Sequence, residues 1–290
     1  MSARHPIISV TGSSGSGTTT VKATFDQIFR RKGIQAASIE GDAFHRYDRD
    51  AMKAELARRT AAGDHTFSHF SFEANELGLL EEVFRDYGET GRGRTRHYVH
   101  DEKDMARHGG VPGRFSPWEP LPEDSDLLFY EGLHGAVSTE EHAIACHADL
   151  KIGVVPVINL EWIQKIHRDR AARGYSTEAV TDVILRRMHA YVHYICPQFT
   201  QTDINFQRVP VVDTSNPFIA RWIPKADESL VVIRFREPAG IDFPYLLSMI
   251  RESWMSRANT IVVPGGKMEI AMQIILTPMI MRLIDKKKRA

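Results

Sequence analysis

The stretch Gly12-Ser13-Ser14-Gly15-Ser16-Gly17-Thr18-Thr19 is where residue types and spacing first suggest chemistry. Its glycines let the backbone curl round a phosphate without Cβ clashes, so that N–H groups point inward, and the helix that follows adds about half a positive charge at its N-terminus. The spacing is that of the phosphate-binding P-loop, G-x-x-x-x-G-K-[ST], with Thr18 in place of the usual lysine. Thr19 is positioned to offer its hydroxyl to Mg²⁺. The missing lysine removes a point charge from the nucleotide phosphates, so another cation has to supply it.

Two acids and a basic segment complete the set. Asp42 follows the apolar run Ala36-Ala37-Ser38-Ile39, and Glu131 follows Leu127-Leu128-Phe129-Tyr130. In an open α/β sheet, ligands gather at the carboxyl ends of such strands. Glu131 then reads as the Walker-B acid that holds Mg²⁺, and Asp42 as the base that accepts a proton from an attacking hydroxyl. Glu40, two residues before Asp42, is an alternative for either task. Further on, Lys165, Asp169 and Arg173 recur every four residues with Arg168 beside them, so a helix there presents its cations together. As a lid over the nucleotide it would neutralise phosphate charge and exclude water.

These groups require a scaffold of alternating strands and helices. Ile7 to Val10 leads through the Gly/Ser/Thr loop to a helical pattern over Val21 to Arg31, and Leu150 to Ile158 precedes another over Leu160 to Arg173. The alternation predicts an α/β P-loop kinase fold, a mostly parallel sheet with helices on both faces. Strands over Val209 to Val212, Leu230 to Phe235 and Thr260 to Val263, then a helix over Met268 to Ile284, extend the sheet. The chain reads as one domain over residues 1–290: a P-loop and base-strand part (1–62), a substrate-side excursion (63–122), the Walker-B strand and lid (123–208) and a C-terminal sheet extension (209–290). In the excursion only one helix is evident, near Asn75 to Tyr87.

Composition excludes several functions. Lys+Arg and Asp+Glu both number 37, so no global positive field exists to hold nucleic acid or an anionic membrane. Cys146 and Cys196 have no CxxC spacing, which argues against zinc or a disulfide framework. Met1 to Pro6 carry no secretory signal pattern, and no apolar run approaches the roughly 20 residues needed to cross a bilayer. A cytoplasmic protein is the expectation.

The P-loop without lysine, Asp42 with His45, Glu131-Gly132-Leu133-His134, and Lys165 with Arg168-Asp169 and Arg173-Gly174 resemble the family that joins phosphoribulokinase and uridine kinase. Ser38 to Arg46, Thr95 to His100 and Tyr130 to Gly135 are similar to its bacterial phosphoribulokinase class. The resemblance covers essentially the whole chain. It implies ATP-dependent phosphorylation of ribulose 5-phosphate to ribulose 1,5-bisphosphate in the Calvin cycle, with Mg²⁺ and ATP. Asp42 would be the base, with Glu131, Lys165, Arg168 and Asp169 in catalysis and Arg173 on the nucleotide. His45, Arg49, Lys53, Tyr98, His100 and His134 would surround the acceptor. Residues 12–19 contain no cysteine, so a thiol switch in the P-loop is not expected.

The resemblance also implies a homo-oligomer activated by NADH as an effector rather than a redox cofactor. No G-x-G-x-x-G fingerprint follows a strand, so arginines would have to bind its pyrophosphate; Arg234 and Arg257 of the C-terminal extension, with Arg31, are the candidates. Two other readings remain open. One is a uridine or nucleoside kinase, which would not need basic clamps for an acceptor phosphate. The other is a nucleotide-dependent regulatory switch, for which Asp42 would be dispensable.

Overall fold

A computed structural model describes residues 5–13, 17–174 and 176–289, with backbone alone for Thr18, Thr19, Ala172 and Arg173. Strand β1 (Ile7–Gly12) leads into helix α1 (Thr18–Lys32) through Gly17, whose φ of 106° lies in the left-handed region that glycine tolerates. Then come β2 (Ala36–Glu40), α2 (Arg49–Ala61), α3 (Leu77–Thr90), the two-residue β3 (Arg94–Thr95), α4 (Glu102–His108) and β4 (Glu119–Pro120). The next elements are β5 (Leu127–Gly132), α5 (Ile144–His147), β6 (Leu150–Val155), α6 (Ile158–Arg173), α7 (Thr177–Ala190) and β7 (Ile204–Pro210). The chain closes with β8 (Ser229–Phe235), α8 (Phe243–Met249), β9 (Trp254–Arg257), β10 (Thr260–Pro264) and α9 (Met268–Arg289).

One eight-stranded sheet runs in the order β2-β5-β1-β6-β7-β8-β10-β9. Its first five strands are parallel, and β8, β10 and β9 add antiparallel pairings at one edge. Strand residues alternate between two cores. Ile8, Val10, Leu127 and Phe129 pack with α1 and α9 residues such as Phe25, Met272 and Leu276, while Ile7, Leu128 and Tyr130 pack with Phe84 and Tyr87 of α3. Both faces are therefore covered, as a parallel sheet requires. No helix among the described residues is long and apolar enough to cross a membrane.

Three boundaries depart from the sequence reading. The seventh strand spans Ile204–Pro210 instead of Val209 to Val212. Its buried Ile204 and Phe206 alternate with polar Asn205 and Gln207, whereas of the Val-Pro-Val-Val run only Val209 and Pro210 belong to the strand. Strand β6 ends at Val155, and Ile158 already opens α6. The excursion holds α3 over Leu77–Thr90 and a second, short helix, α4.

Candidate active site

Strand register sets the acids in a row. Along the parallel ladder Val10 is level with Glu131, and Glu131 is level with Glu40, so both acids stand beside the point where β1 enters the P-loop. The strand ends then converge so closely that a Cβ on Gly41 would lie 2.7 Å from the Gly132 Cα. Glycine is the residue that fits this approach. Lys22, one turn into α1, pairs with Glu40 and also feels Glu131 and Asp26. Burial opposes the charge of both Lys22 and Glu40, yet their mutual bond keeps the lysine pKa raised and the carboxyl pKa lowered. Glu40 is thus committed to an ion pair beside Glu131.

Asp42 sits in the 3-10 turn Gly41–Phe44 directly after β2. Its two oxygens are gripped from two sides: Oδ1 lies 3.1 Å from His45 Nε2 and Oδ2 lies 3.1 Å from His100 Nε2. The His45 protonation state follows from its other nitrogen. Asn75 uses its Nδ2 hydrogens on the carbonyls of His69 and Ser71, at 2.9 and 2.8 Å, which leaves its Oδ1 to accept from His45 Nδ1 at 2.8 Å. With Nδ1–H fixed, donation from Nε2 to Asp42 makes the ring an imidazolium. Burial disfavours that charge, but Asp42 outweighs it and raises the His45 pKa. The bond to Asp42 likewise raises the His100 pKa against burial. Burial would raise the Asp42 pKa, and the two histidines overcome this to hold it well below the usual carboxylate value. Asp42 keeps 41% of its side-chain surface exposed, so the ionised carboxylate remains open to an incoming hydroxyl.

The excursion closes over this turn. His100 is held from α2 by Arg49, whose Nη2 donates to the His100 carbonyl at 2.9 Å and whose guanidinium also bonds the Tyr98 side chain. Tyr98 packs its ring against His100 at 4.8 Å and against His45 at 6.4 Å. Lys53 follows Arg49 by one turn of α2 and is exposed. His134 is 3% exposed, and its burial pulls its pKa down to about 3. It lines a small cavity with Phe44, His45, Asn75 and Tyr130.

Helix α6 carries a second charged cluster, whose Lys165 is near enough to His69 to add to burial in lowering the pKa of that histidine. Lys165 Nζ lies 2.5 Å from Asp169 Oδ2 and Arg168 Nε 3.1 Å from Asp169 Oδ1, with Lys165 and Asp169 both buried. Burial and the neighbouring Arg187 lower the Lys165 pKa to about 8, although Asp169 opposes them. One turn earlier, Glu161 is buried, and the Ser13 hydroxyl at the start of the P-loop is near enough to pull its pKa down against burial, which places α6 beside the phosphate cradle. Burial raises the Glu161 pKa to about 7 despite Arg187, Lys165 and Arg168.

Glu161, Arg187 and His69 are site residues that the sequence reading missed. Glu161 continues the i, i+4 ladder of Lys165 and Asp169, a local signal present in the sequence. Arg187, on α7, has its guanidinium 4.9 Å from the Phe70 ring centre and influences His45, His69, Glu161 and Lys165 electrostatically. Nothing in its own neighbourhood of sequence marks it. Of the residues expected to bind nucleotide, Ser14, Gly15 and Ser16 lie outside the described residues, as do the side chains of Thr18, Thr19 and Arg173. Of the other candidates, Asp42, His45, Tyr98, His100 and Arg49 lie in mutual contact, and Lys165, Arg168 and Asp169 form a second cluster on α6.

Two further features lie along the sheet. After β7, residues Val212 to Asn216 and Ile219 to Trp222 line a cavity of about 440 Å³ with Ile163 of α6. At the far edge Thr260 stands opposite Arg234 on one side and Arg257 on the other, and both arginines are exposed. Arg31 on α1 donates to Gln273 of α9 at 2.8 Å. Among the described residues no group of three or more ligating side chains could hold a metal ion. Mg²⁺ in nucleotide sites takes one or two carboxylates plus substrate phosphates, and Glu131 beside the P-loop offers the hard oxygen it needs.

Residues 7–215 match the model of the Phosphoribulokinase / Uridine kinase family. The chain is 75% identical over 290 residues to Phosphoribulokinase 1 of Cereibacter sphaeroides, covering 100% of each. It is 68% identical over 287 residues to a phosphoribulokinase of Nitrobacter vulgaris, covering 99% of each. Among solved structures it is similar to a phosphoribulokinase from Rhodobacter spheroides, with a TM-score of 0.91 and 74% identity over 99% of this chain and 100% of that one.

Proposed function

The chain belongs to the phosphoribulokinase / uridine kinase family, phosphotransferases that act on an alcohol group, and from that premise we propose that it phosphorylates ribulose 5-phosphate with Asp42 as base. The acceptor hydroxyl attacks the γ-phosphorus of ATP, the bond to the β–γ bridging oxygen breaks, ADP leaves, and the hydroxyl proton passes to Asp42. The observation that carries this reading is the carboxylate of Asp42, kept ionised between His45 and His100 at 3.1 Å each, at a strand end beside the P-loop. When bound, Mg²⁺ would be held by Glu131, with the Thr19 hydroxyl as the expected second ligand, and would neutralise charge on the transferred phosphoryl group.

A phosphate-bearing acceptor is favoured over a nucleoside because Arg49, Lys53, His45 and His100 gather cations outside the P-loop, where an acceptor phosphate needs charge-assisted bonds. Lys165 and Arg168, with Arg173, take over the charge of the absent P-loop lysine, and Asp169 sets their geometry. The nucleotide base fits the cavity after β7. That strand lies two positions from β1 in the sheet, about 10 Å at the usual strand spacing, which is within the reach of ATP from a phosphate in the P-loop.

The product bisphosphate suits carbon dioxide fixation in the Calvin cycle, in a cytoplasmic homo-oligomer. NADH activation through Arg234 and Arg257, with Arg31, is part of the same reading, since the two strand arginines flank one residue at the sheet edge. The test is ADP release measured with a panel of pentose phosphates and nucleosides. Selective turnover of ribulose 5-phosphate is expected, and equal or better use of uridine would overturn the acceptor assignment.

A further inference from the structure

Arg96 holds the turn that carries Asp42. Its Nε donates to the carbonyl of Ala43 at 2.7 Å and its Nη2 to the carbonyl of His45 at 2.9 Å. These carbonyls belong to the residue after Asp42 and to the histidine that grips it. Its guanidinium carbon stands 3.6 Å from the centre of the Phe115 ring and 4.7 Å from that of Trp118. The planar cation is thereby fixed by its rings and by its two acceptors, a combination that a flexible ammonium cannot reproduce. Its main chain lies between β3 and Tyr98, on the segment that also delivers His100. One side chain therefore joins both arms of the grip: the turn with Asp42 and His45, and the excursion with His100.

The 3-10 turn is also held by the His45–Asn75 bond and by the burial of Ala43 and Phe44 in the core, but these leave the Ala43 and His45 carbonyls to Arg96. The turn is four residues long, with His45 N donating to Asp42 O at a long 3.3 Å, and Phe44 O accepting from Glu76 N at 2.7 Å. Ala43 is fully buried, so solvent is in no position to replace a lost donor on that side. We infer that Arg96 is a positioning residue for phosphoryl transfer, setting the distance and angle of the Asp42 carboxylate toward the acceptor hydroxyl through two backbone carbonyls. The inference rests on the reading of Asp42 as the base.

The experiment compares Arg96→Ala, Arg96→Lys, Asp42→Asn and the double variant Asp42→Asn/Arg96→Ala in kcat, KM for each substrate, and pH profile. Misplacing a catalytic group by about 1 Å costs on the order of 100-fold, and a loss of that size in kcat is expected for Arg96→Ala with KM for ATP within about threefold of the parent. Arg96→Lys keeps the charge but not the fork, so it should lose most of the same activity. Loosening the grip on Asp42 should also move the acid limb of kcat/KM to higher pH, which a general loss of folded protein would not do. Millimolar guanidinium should restore part of the activity of Arg96→Ala, and Arg96→Lys is read in its place should the alanine variant not fold. In the double variant the two losses should not multiply, because a misplaced base that has already been removed costs nothing more.

The outcomes separate the two ideas. If Asp42→Asn keeps activity within tenfold, the base assignment falls, and this inference with it. If Asp42→Asn is severe while Arg96→Ala or Arg96→Lys keeps kcat within twofold, or the double variant shows fully multiplied losses, the role of Arg96 is wrong and that of Asp42 stands.

Discussion

Replacing Glu161 by Gln keeps the shape of a buried side chain while removing its ionisation. In the fold this carboxyl has a pKa of about 7, raised from the ordinary 4.5 chiefly by burial. At about 1.4 kcal/mol per tenfold change in proton affinity, that difference corresponds to roughly 3 kcal/mol. The sign follows from proton counting. Between about pH 4.5 and 7 the folded chain holds this proton and the unfolded chain has lost it, so stability falls as pH rises through the window. Below the window the group costs nothing, and above it the full penalty applies. Glu161→Gln should therefore unfold in urea like the parent near pH 4.5 and be more stable by roughly 3 kcal/mol at pH 8. Taking the difference between variants cancels other groups that titrate alike in both proteins. Burial sets this penalty, which the Ser13 hydroxyl and the cations Arg187, Lys165 and Arg168 offset only in part, and such placements cluster at functional sites. A stability difference that does not change with pH would refute the reasoning.

Asp42→Asn should cost several powers of ten in kcat with ATP binding little changed, since a base acts mainly in the transition state; a loss below tenfold would remove it from that role. His100→Asn takes away one of the two groups that hold the Asp42 pKa down, so the acid limb of kcat/KM should move to higher pH, and an unmoved limb would count against the grip. Lys165 loses its proton near pH 8, so activity should fall as pH rises through that value, and Lys165→Arg should push this limb upward. Arg234→Ala and Arg257→Ala should weaken activation by NADH while sparing basal turnover, and unchanged half-saturation in both would show that the effector binds elsewhere.

Much of the site is legible in the sequence because its signals are local. The P-loop is eight consecutive residues, Asp42 and Glu131 each close an apolar run, and Lys165 and Asp169 share a helix face by spacing alone. A strand end beside Gly and an i, i+4 interval mean the same thing in any surroundings, so residue order alone specifies the parallel sheet and its row of acids. Local pattern misleads at β7, where polar Asn205 and Gln207 disguise a strand whose alternate residues, Ile204 and Phe206, face the core.

What tertiary structure alone decided is the partner of each charge. His45 and His100 reach Asp42 from positions 3 and 58 residues away in sequence; only the nearer could have been guessed from spacing, and their joint grip holds Asp42 as an ionised carboxylate. Arg187 on α7 acts on Lys165 and Glu161 of α6, and Arg96 secures carbonyls about 50 residues before it in the chain. The physical reason is that periodicity reports which face of an element is buried. The pairing of one buried charge with another depends on how the elements close on each other, through register, close approach and the desolvation that makes each pairing matter.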